Sequence, residues 1–413
     1  MTLRIACIGE PLAEISHYGE TFGVGFAGDT LNTAIYCARE AKGHDIDVQY
    51  VCAIGHDALS EGALNLMRRE GLGTNYVTRD PARQIGIYAI QNDIHGERSF
   101  HYWRDSSAAR QMFSTDASPH LKSIKSADLV YLSGITLAIL SQDARDRLWR
   151  ALAEQRASGL KVAFDSNYRP NLWETPEIAS REIARFWKIT DIALPTHEDE
   201  TALFGDAERR AILDRILATG PKTGALKCGQ DGPIQIPHSA ETSSYKAAET
   251  VIDTTGAGDS FNGAYLAAIA SGKPERTALA LAHDLARRVV GHKGAILPQN
   301  PIRPAQRMGS VIGLRPEDLD EYVKLHANVW PGVLARLKAS HFTNYSIYLK
   351  EPECLMFGYF EYTGDDFDTD NAAIANDPIT QDWWKVCGPM QVPLEIRNQG
   401  EWWAEMREVF HMD

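Results

Sequence analysis

The chain has 413 residues, 44% hydrophobic and 23% charged, which is ordinary globular material and too long for one typical core. A formal net charge of −13, scattered rather than blocked, argues against a nucleic-acid partner or an anionic membrane surface, since both reward basic patches. The six cysteines lack CxxC or zinc spacing, no apolar run is long enough to span a bilayer, and a strand opens the sequence with no room for a signal peptide, so a cytoplasmic protein is expected.

Residues 1 to about 300 alternate short apolar strands with helical segments. Strands are predicted at 4–9, 49–53, 128–132, 161–165, 190–194 and 223–228, with amphipathic stretches such as 58–70 and 143–157 between them. This order predicts a parallel sheet covered on both faces. Two segments break the alternation, 85–91 and 97–103, joined by Asp93-Ile-His-Gly96. They predict an antiparallel hairpin, placed as a lid over a site at the carboxyl ends of the strands.

The stretch Val251-Ile-Asp-Thr-Thr-Gly-Ala-Gly-Asp-Ser-Phe-Asn-Gly263 reads as a strand end, a glycine turn and the first turn of an apolar helix. Gly256, Ala257 and Gly258 would let backbone N–H groups at a helix start approach a ligand and form an anion hole. Asp259 adds a carboxylate that would repel phosphate unless it has its own task, and taking a proton from an attacking hydroxyl is that task. A glycine turn before a helix is, alone, more often an ordinary junction than a site.

Pro298, Pro301 and Pro304 then suit an extended linker. We divide the chain into domains at 1–300 and 309–413, with 301–308 between them. In the second, Arg315-Pro-Glu-Asp opens a helix, 345–349 and 354–362 read as paired strands, and 379–386 as another helix. A strand, helix, strand, strand, helix, strand order predicts a small α+β, ferredoxin-like sandwich.

The glycine string resembles the signature of the ribokinase-like (phosphofructokinase-B) sugar kinases, in which the Asp at this place is the catalytic base. The resemblance implies an α/β three-layer domain with a β-hairpin lid. Gly28-Asp29-Thr-Leu-Asn32, Gly96-Glu-Arg-Ser-Phe-His-Tyr102-Trp-Arg104, Asp165-Ser-Asn167-Tyr-Arg169-Pro and Gly294-Ala-Ile-Leu-Pro298 narrow it to 2-keto-3-deoxygluconate kinases. That implies transfer of a phosphoryl group from ATP to the terminal hydroxyl of a 2-keto-3-deoxy sugar acid. Independently, Arg104 and Arg169 offer planar forks for a substrate carboxylate. Tyr88 and Tyr102 can hydrogen-bond the acid from the hairpin, while Gly28, Asp29 and Asn32 sit at a helix start suited to sugar hydroxyls. Asp29 could equally just cap its helix.

There is no Walker-type P-loop. Lys227-Cys-Gly229-Gln-Asp-Gly232 matches the family's nucleotide-side loop. The family's Asn-x-x-Glu motif for magnesium corresponds here to Thr196-His-Glu-Asp199, so Asp199 is the candidate carboxylate and Mg²⁺ is expected to arrive mainly with ATP. A sugar-binding regulator is the competing class, disfavoured by a complete anion hole with Asp259.

In the second domain Tyr322 and His326 lie four apart on one helical face. A lone His on such a face is usually a satisfied core residue. With Asn344-Tyr345, Asp382-Trp383-Trp384 and Glu408-Val-Phe-His, however, it resembles the L-rhamnose mutarotase family over 309–413. The resemblance implies a dimeric α+β barrel, hence a homo-oligomer, that interconverts sugar anomers. His326 would be the acid/base, with Tyr322, Tyr345, Trp383 and Trp384 lining the pocket. A dimerisation or sensing module without turnover remains the alternative.

Overall fold

A computed structural model describes residues 2–18, 21–92, 98–237, 245–298, 305–364 and 366–412. It divides into two compact units, Met1–Leu297 and Pro298–Asp413. Each has its own apolar core.

In the first unit twelve strands are described: β1 Leu3–Ile8, β2 Leu12–Tyr18, β3 Thr21–Ala27, β4 Ile46–Ile54, β5 Gly73–Arg79, β6 Gly86–Asn92, β7 Arg98–Trp103, β8 Leu129–Ser133, β9 Lys161–Asp165, β10 Ile192–Ala193, β11 Thr223–Lys227 and β12 Pro233–Ile236. Eight form one sheet in the order β12-β11-β10-β9-β8-β1-β4-β5, parallel except for the β11–β12 pair. The inner strands read as near-continuous apolar runs because helices cover both faces. Every residue of β8 is buried, as are four of five in β9. Amphipathic helices follow where expected, Ala58–Arg69 capped by Asp57 and Gln142–Ala157 capped by Ser141.

Several details differ from expectation. The expected antiparallel pair, β6 with β7, is present from Ile87↔Trp103 to Asn92↔Arg98, but it is half of a four-stranded sheet, β3-β2-β6-β7. Strands β2 and β3 pair from Leu12↔Ala27 to Tyr18↔Thr21, and β2 runs parallel to β6. The turn residues Asp93–Gly96 lie outside the described residues, as do 299–304 with Pro301 and Pro304. The strand expected at 190–194 is only Ile192–Ala193, since Asp191 turns its carboxylate onto the backbone N–H of Val162, 3.1 Å away, and onto Arg156. Val251–Asp253 is not a strand end. These residues lean on the end of the helix Glu275–Val289, where Ile252 N–H and Asp253 N–H donate to Val290 O at 2.8 and 3.2 Å.

The helix after the glycine turn, Ala257–Ala270, is buried along most of its length. It crosses the helix Asp29–Glu40 at close range. A Cβ on Gly263 would lie 2.6 Å from Thr33 O and from Tyr36 Cβ, so only glycine permits this approach. That crossing brings residues from opposite ends of the unit into one site.

The second unit is built on β13 Gln306–Leu314, β14 Phe342–Lys350, β15 Leu355–Tyr362, β16 Gln391–Val392 and β17 Ala404–Met406. The order β14-β15-β13-β16, antiparallel throughout, is that of the ferredoxin-like sandwich, with β17 added against β13. The helix expected at 379–386 is Pro378–Cys387, and each expected helix has a companion. Leu319–His326 is followed by Pro331–Ala339, and Phe367–Ala375 precedes Pro378–Cys387. Pro331 and Pro378 start the second member of each pair, as proline at a first helical position favours. No helix among the described residues is long and apolar enough to cross a membrane.

Candidate functional site

A cavity of about 690 Å³ opens where the carboxyl ends of β9 and β11, the starts of the helices at 29 and 257, and the lid converge. Every residue singled out from the sequence of the first unit lines it: Gly28, Asp29, Asn32, Tyr88, Tyr102, Arg104, Arg169, Asp199, Lys227, Gly229, Gly232 and the run 256–259.

The helix start is open. Gly256 holds φ 77°, and a Cβ there would fall 2.7 Å from Ala295 O. Ala257 N–H is engaged by Thr254 O at 3.2 Å, so the N–H groups of Gly258 and Asp259, rather than Ala257, are left to meet an anion. A Cβ on Gly258 would stand 3.6 Å from Lys227 Nζ, which sets that ammonium beside the helix start and leaves Gly258 without a steric need to be glycine.

Asp259 is half-buried, and Asn32 Nδ2 donates to its Oδ2 at 2.8 Å. Burial, with Asp29 adding to it, pushes its carboxyl up to about 7, while the Asn32 hydrogen bond works the other way. A carboxylate that titrates near neutrality is suited to accept and release a proton. Asp29 follows Gly28, the N-cap, as the first residue of the helix. Its carboxylate accepts from the Ser133 hydroxyl and from Asn167 Nδ2 at 3.1 Å, and burial raises its pKa while hydrogen bonds from Ser133 and the Thr30 backbone work the other way.

The arginines are not bare forks. Arg104 donates from Nε to Glu10 Oε2 at 2.8 Å, and its Nη2 reaches the same oxygen. Ser107 holds the other oxygen, and the whole cluster is buried. Arg169 is exposed, with Nη1 2.7 Å from Tyr168 O and 3.3 Å from Asp199 Oδ1. Burial pushes Asp199 up to about 6 despite that guanidinium. Lys227 Nζ sits 2.6 Å from Asp165 Oδ2 and 3.1 Å from Asn262 Oδ1. Tyr88 donates to Glu14 and stacks on Tyr102, centroids 5.8 Å apart.

Glu10 and Asp165 also line the cavity, and Glu14 and Asn262 hold its Tyr88 and Lys227, although the sequence reading singles out none of the four. Asp165 and Asn262 stood inside the motifs already quoted. Glu10 and Glu14 carried a weaker signal, two acids just after the first strand in an otherwise apolar stretch.

In the second unit the rings of Tyr322 and His326 stack with centroids 4.0 Å apart, and Trp383 meets His326 edge-on at 5.2 Å. His326 Nδ1 lies 3.1 Å from Tyr322 O. A carbonyl only accepts, so Nδ1 carries the proton and Nε2 presents a lone pair. Burial lowers the His326 pKa, which favours that neutral ring. Tyr345 and Trp384 line a separate open cleft of about 920 Å³ with Trp402 and Trp403, whereas Tyr322, His326 and Trp383 do not line it. The two tryptophans part because consecutive helical residues point about 100° apart. Trp383 is 4% exposed and Trp384 45%. Tyr345 follows Asn344 (φ 45°) at an irregularity in the β14–β15 register, and 46% of it is exposed. Burial of its phenol end nonetheless raises its pKa.

The profile of pfkB family carbohydrate kinases matches residues 2–303, and that of L-rhamnose mutarotase matches 307–412. Over 302 residues the chain is 39% identical to a 2-dehydro-3-deoxygluconokinase of Dickeya dadantii (strain 3937), covering 72% of this chain and 97% of the relative. Its identity to the enzyme of that name from Escherichia coli (strain K12) is 38% over 309 residues, 72% of this chain and 98% of the other. A fructokinase with bound ATP from Xylella fastidiosa superposes with a TM-score of 0.60 at 20% identity, over 71% of this chain and 94% of that one, which shows the shared fold. The chain therefore belongs to the pfkB family of carbohydrate kinases, as a sugar kinase followed by an L-rhamnose mutarotase family domain.

Proposed function

We propose that the first unit phosphorylates 2-keto-3-deoxygluconate (2-dehydro-3-deoxygluconate), or a close 2-keto-3-deoxy sugar acid, at its terminal hydroxyl, in the cytoplasm. The observation that carries this is Asp259 at an open helix start, with its carboxyl near neutrality. Asp259 takes the hydroxyl proton as the sugar oxygen bonds to the γ-phosphorus of ATP and the bond to the ADP oxygen breaks. The N–H groups of Gly258 and Asp259, with Lys227 beside them, face the charge that builds on the transferring group. Gly229 and Gly232 border the nucleotide side. Arg104, Arg169, Tyr88 and Tyr102 hold the acid, and Gly28, Asp29 and Asn32 the hydroxyls.

Magnesium fits the donor set, because Asp199 and Glu198 place oxygen ligands on the cavity wall. When bound with the nucleotide it would supply charge neutralisation, with Asp199 as its protein contact. ATP consumption with a 2-keto-3-deoxy acid tests the reading directly. Equal turnover of ribose or fructose, with no use for Arg104 or Arg169, would reject it.

For the second unit we propose interconversion of the anomers of L-rhamnose or a similar sugar. His326 Nε2 is the reversible proton carrier between the anomeric hydroxyl and the ring oxygen, and the aromatic rings suit the C–H face of a sugar. The protonated Nδ1 held by Tyr322 O supports this over a dimerisation or sensing module, which has no need of a fixed tautomer. Exchange between α and β signals by NMR saturation transfer is the test. It should vanish in His326→Ala, and no exchange in the wild type for any aldose or keto-deoxy acid leaves the module without turnover.

A further inference from the structure

A chain of three polar side chains in the second unit has a fixed direction. Trp402 Nε1–H donates to Gln391 Oε1 at 2.6 Å, and Gln391 Nε2 donates to the Tyr322 hydroxyl at 3.0 Å. An indole nitrogen is a donor only, so it must face the amide oxygen. The amide NH₂ must then face Tyr322, and the phenol oxygen becomes an acceptor there. Gln391 is anchored on β16, opposite Leu314 of β13, so it cannot drift from this position. Tyr322 is 3% exposed, and no protein acceptor for its own proton appears among the described residues.

We propose that Gln391, locked by Trp402, is a positioning residue that compels Tyr322 to turn its O–H away from Gln391, as a hydrogen-bond donor to the sugar held against His326. The inference rests on the anomer-exchange reading of this unit. Remove the lock and the phenol is free to choose; reverse it and the phenol must point its proton back into the protein.

Three variants of the full chain test this at pH 8 with L-rhamnose by saturation transfer. Gln391→Glu keeps the shape but accepts at both ends, so it draws the Tyr322 proton away and should lower the exchange rate at saturating sugar by about tenfold or more. Gln391→Met abolishes both contacts yet leaves the phenol proton free, and its loss should stay within about threefold. A merely structural role predicts the opposite ranking, because Glu is the closer isostere. Should the Met variant not fold, Trp402→Phe gives the comparison, with a smaller loss than Gln391→Glu. An active wild type in which Gln391→Glu matches or exceeds the other variants overturns the inference alone. A wild type without exchange overturns the reading beneath it, and the inference with it.

Discussion

The two cores of this chain build their sites from opposite materials. In the first, most of the cavity's side chains are ionisable, and each cation is balanced by a carboxylate, Arg104 by Glu10, Lys227 by Asp165 and Arg169 by Asp199, while Asp29 and Asp259 are held by neutral hydrogen-bond donors. In the second, the cluster around His326 is aromatic and neutral, ordered by hydrogen bonds from groups that titrate far from neutrality or not at all. Phosphoryl transfer moves a highly charged group, and a pre-balanced cavity can hold it without ions of its own left bare. Anomer exchange moves only protons, and a neutral imidazole in a fixed tautomer suffices.

The charge that the first site can least do without is that of Asp259. Asp259→Asn should lower turnover by roughly two to four orders of magnitude, the usual range for a positioned base, while ATP and sugar binding persist. In the wild type the base must be ionised, so turnover should fall as pH drops through about 7. The stability sign is the reverse. A carboxyl whose pKa is raised on folding stabilises fully below its unfolded value and loses that contribution as pH rises through about 7. Asp259→Asn should therefore unfold at a higher temperature than wild type at pH 8, by about 2 °C or more. Near-wild-type turnover in the folded variant would remove Asp259 from the chemistry.

Next in size are the balanced arginines. Arg104→Ala should raise the Michaelis constant for a 2-keto-3-deoxy acid about tenfold or more, with little change for ATP. Glu10→Gln sharpens the point. It leaves a buried guanidinium short of its partner, and breaking such a pair costs on the order of 3–5 kcal/mol of stability. Affinity for the anionic substrate should hold or improve, since Arg104 no longer shares its charge with a carboxylate. If Glu10→Gln instead loses acid affinity as fully as Arg104→Ala at unchanged stability, the pair is not a charge balance.

Much of this was legible in the residues and some was not, for physical reasons. The inner strands of the first sheet announce themselves because burial on both faces makes them continuously apolar. The lid strands β2 and β3 do not, since Glu14, Ser16, Gly23 and Gly25 dilute any alternation and the pairing is settled only by tertiary contact. Cavity-lining residues inside motifs, such as Asp259 and Asn32, were legible. Their mutual hydrogen bond was not, because it depends on a helix crossing that Gly263 alone hints at. Trp383 and Trp384 read as one wall, and helical geometry sends them to different places. Gln391 gave no signal at all, for its role exists only through Trp402 and Tyr322.

The smallest expected effect is between the two regions. Each set of functional residues lies on its own core, and each family profile ends where the other has not begun. Substitutions at sites with no shared partners add independently, usually within a few tenths of a kcal/mol. His326→Ala should therefore leave ATP turnover with a 2-keto-3-deoxy acid within about twofold, and Asp259→Asn should leave L-rhamnose exchange within the same margin. Residues 1–300 and 308–413 expressed apart should each keep their own activity. A loss of ATP turnover well beyond twofold in His326→Ala, in protein whose unfolding transitions match the wild type, would show that the cores are coupled, and the contrast between a charged site and a neutral one would then describe two halves of a single machine.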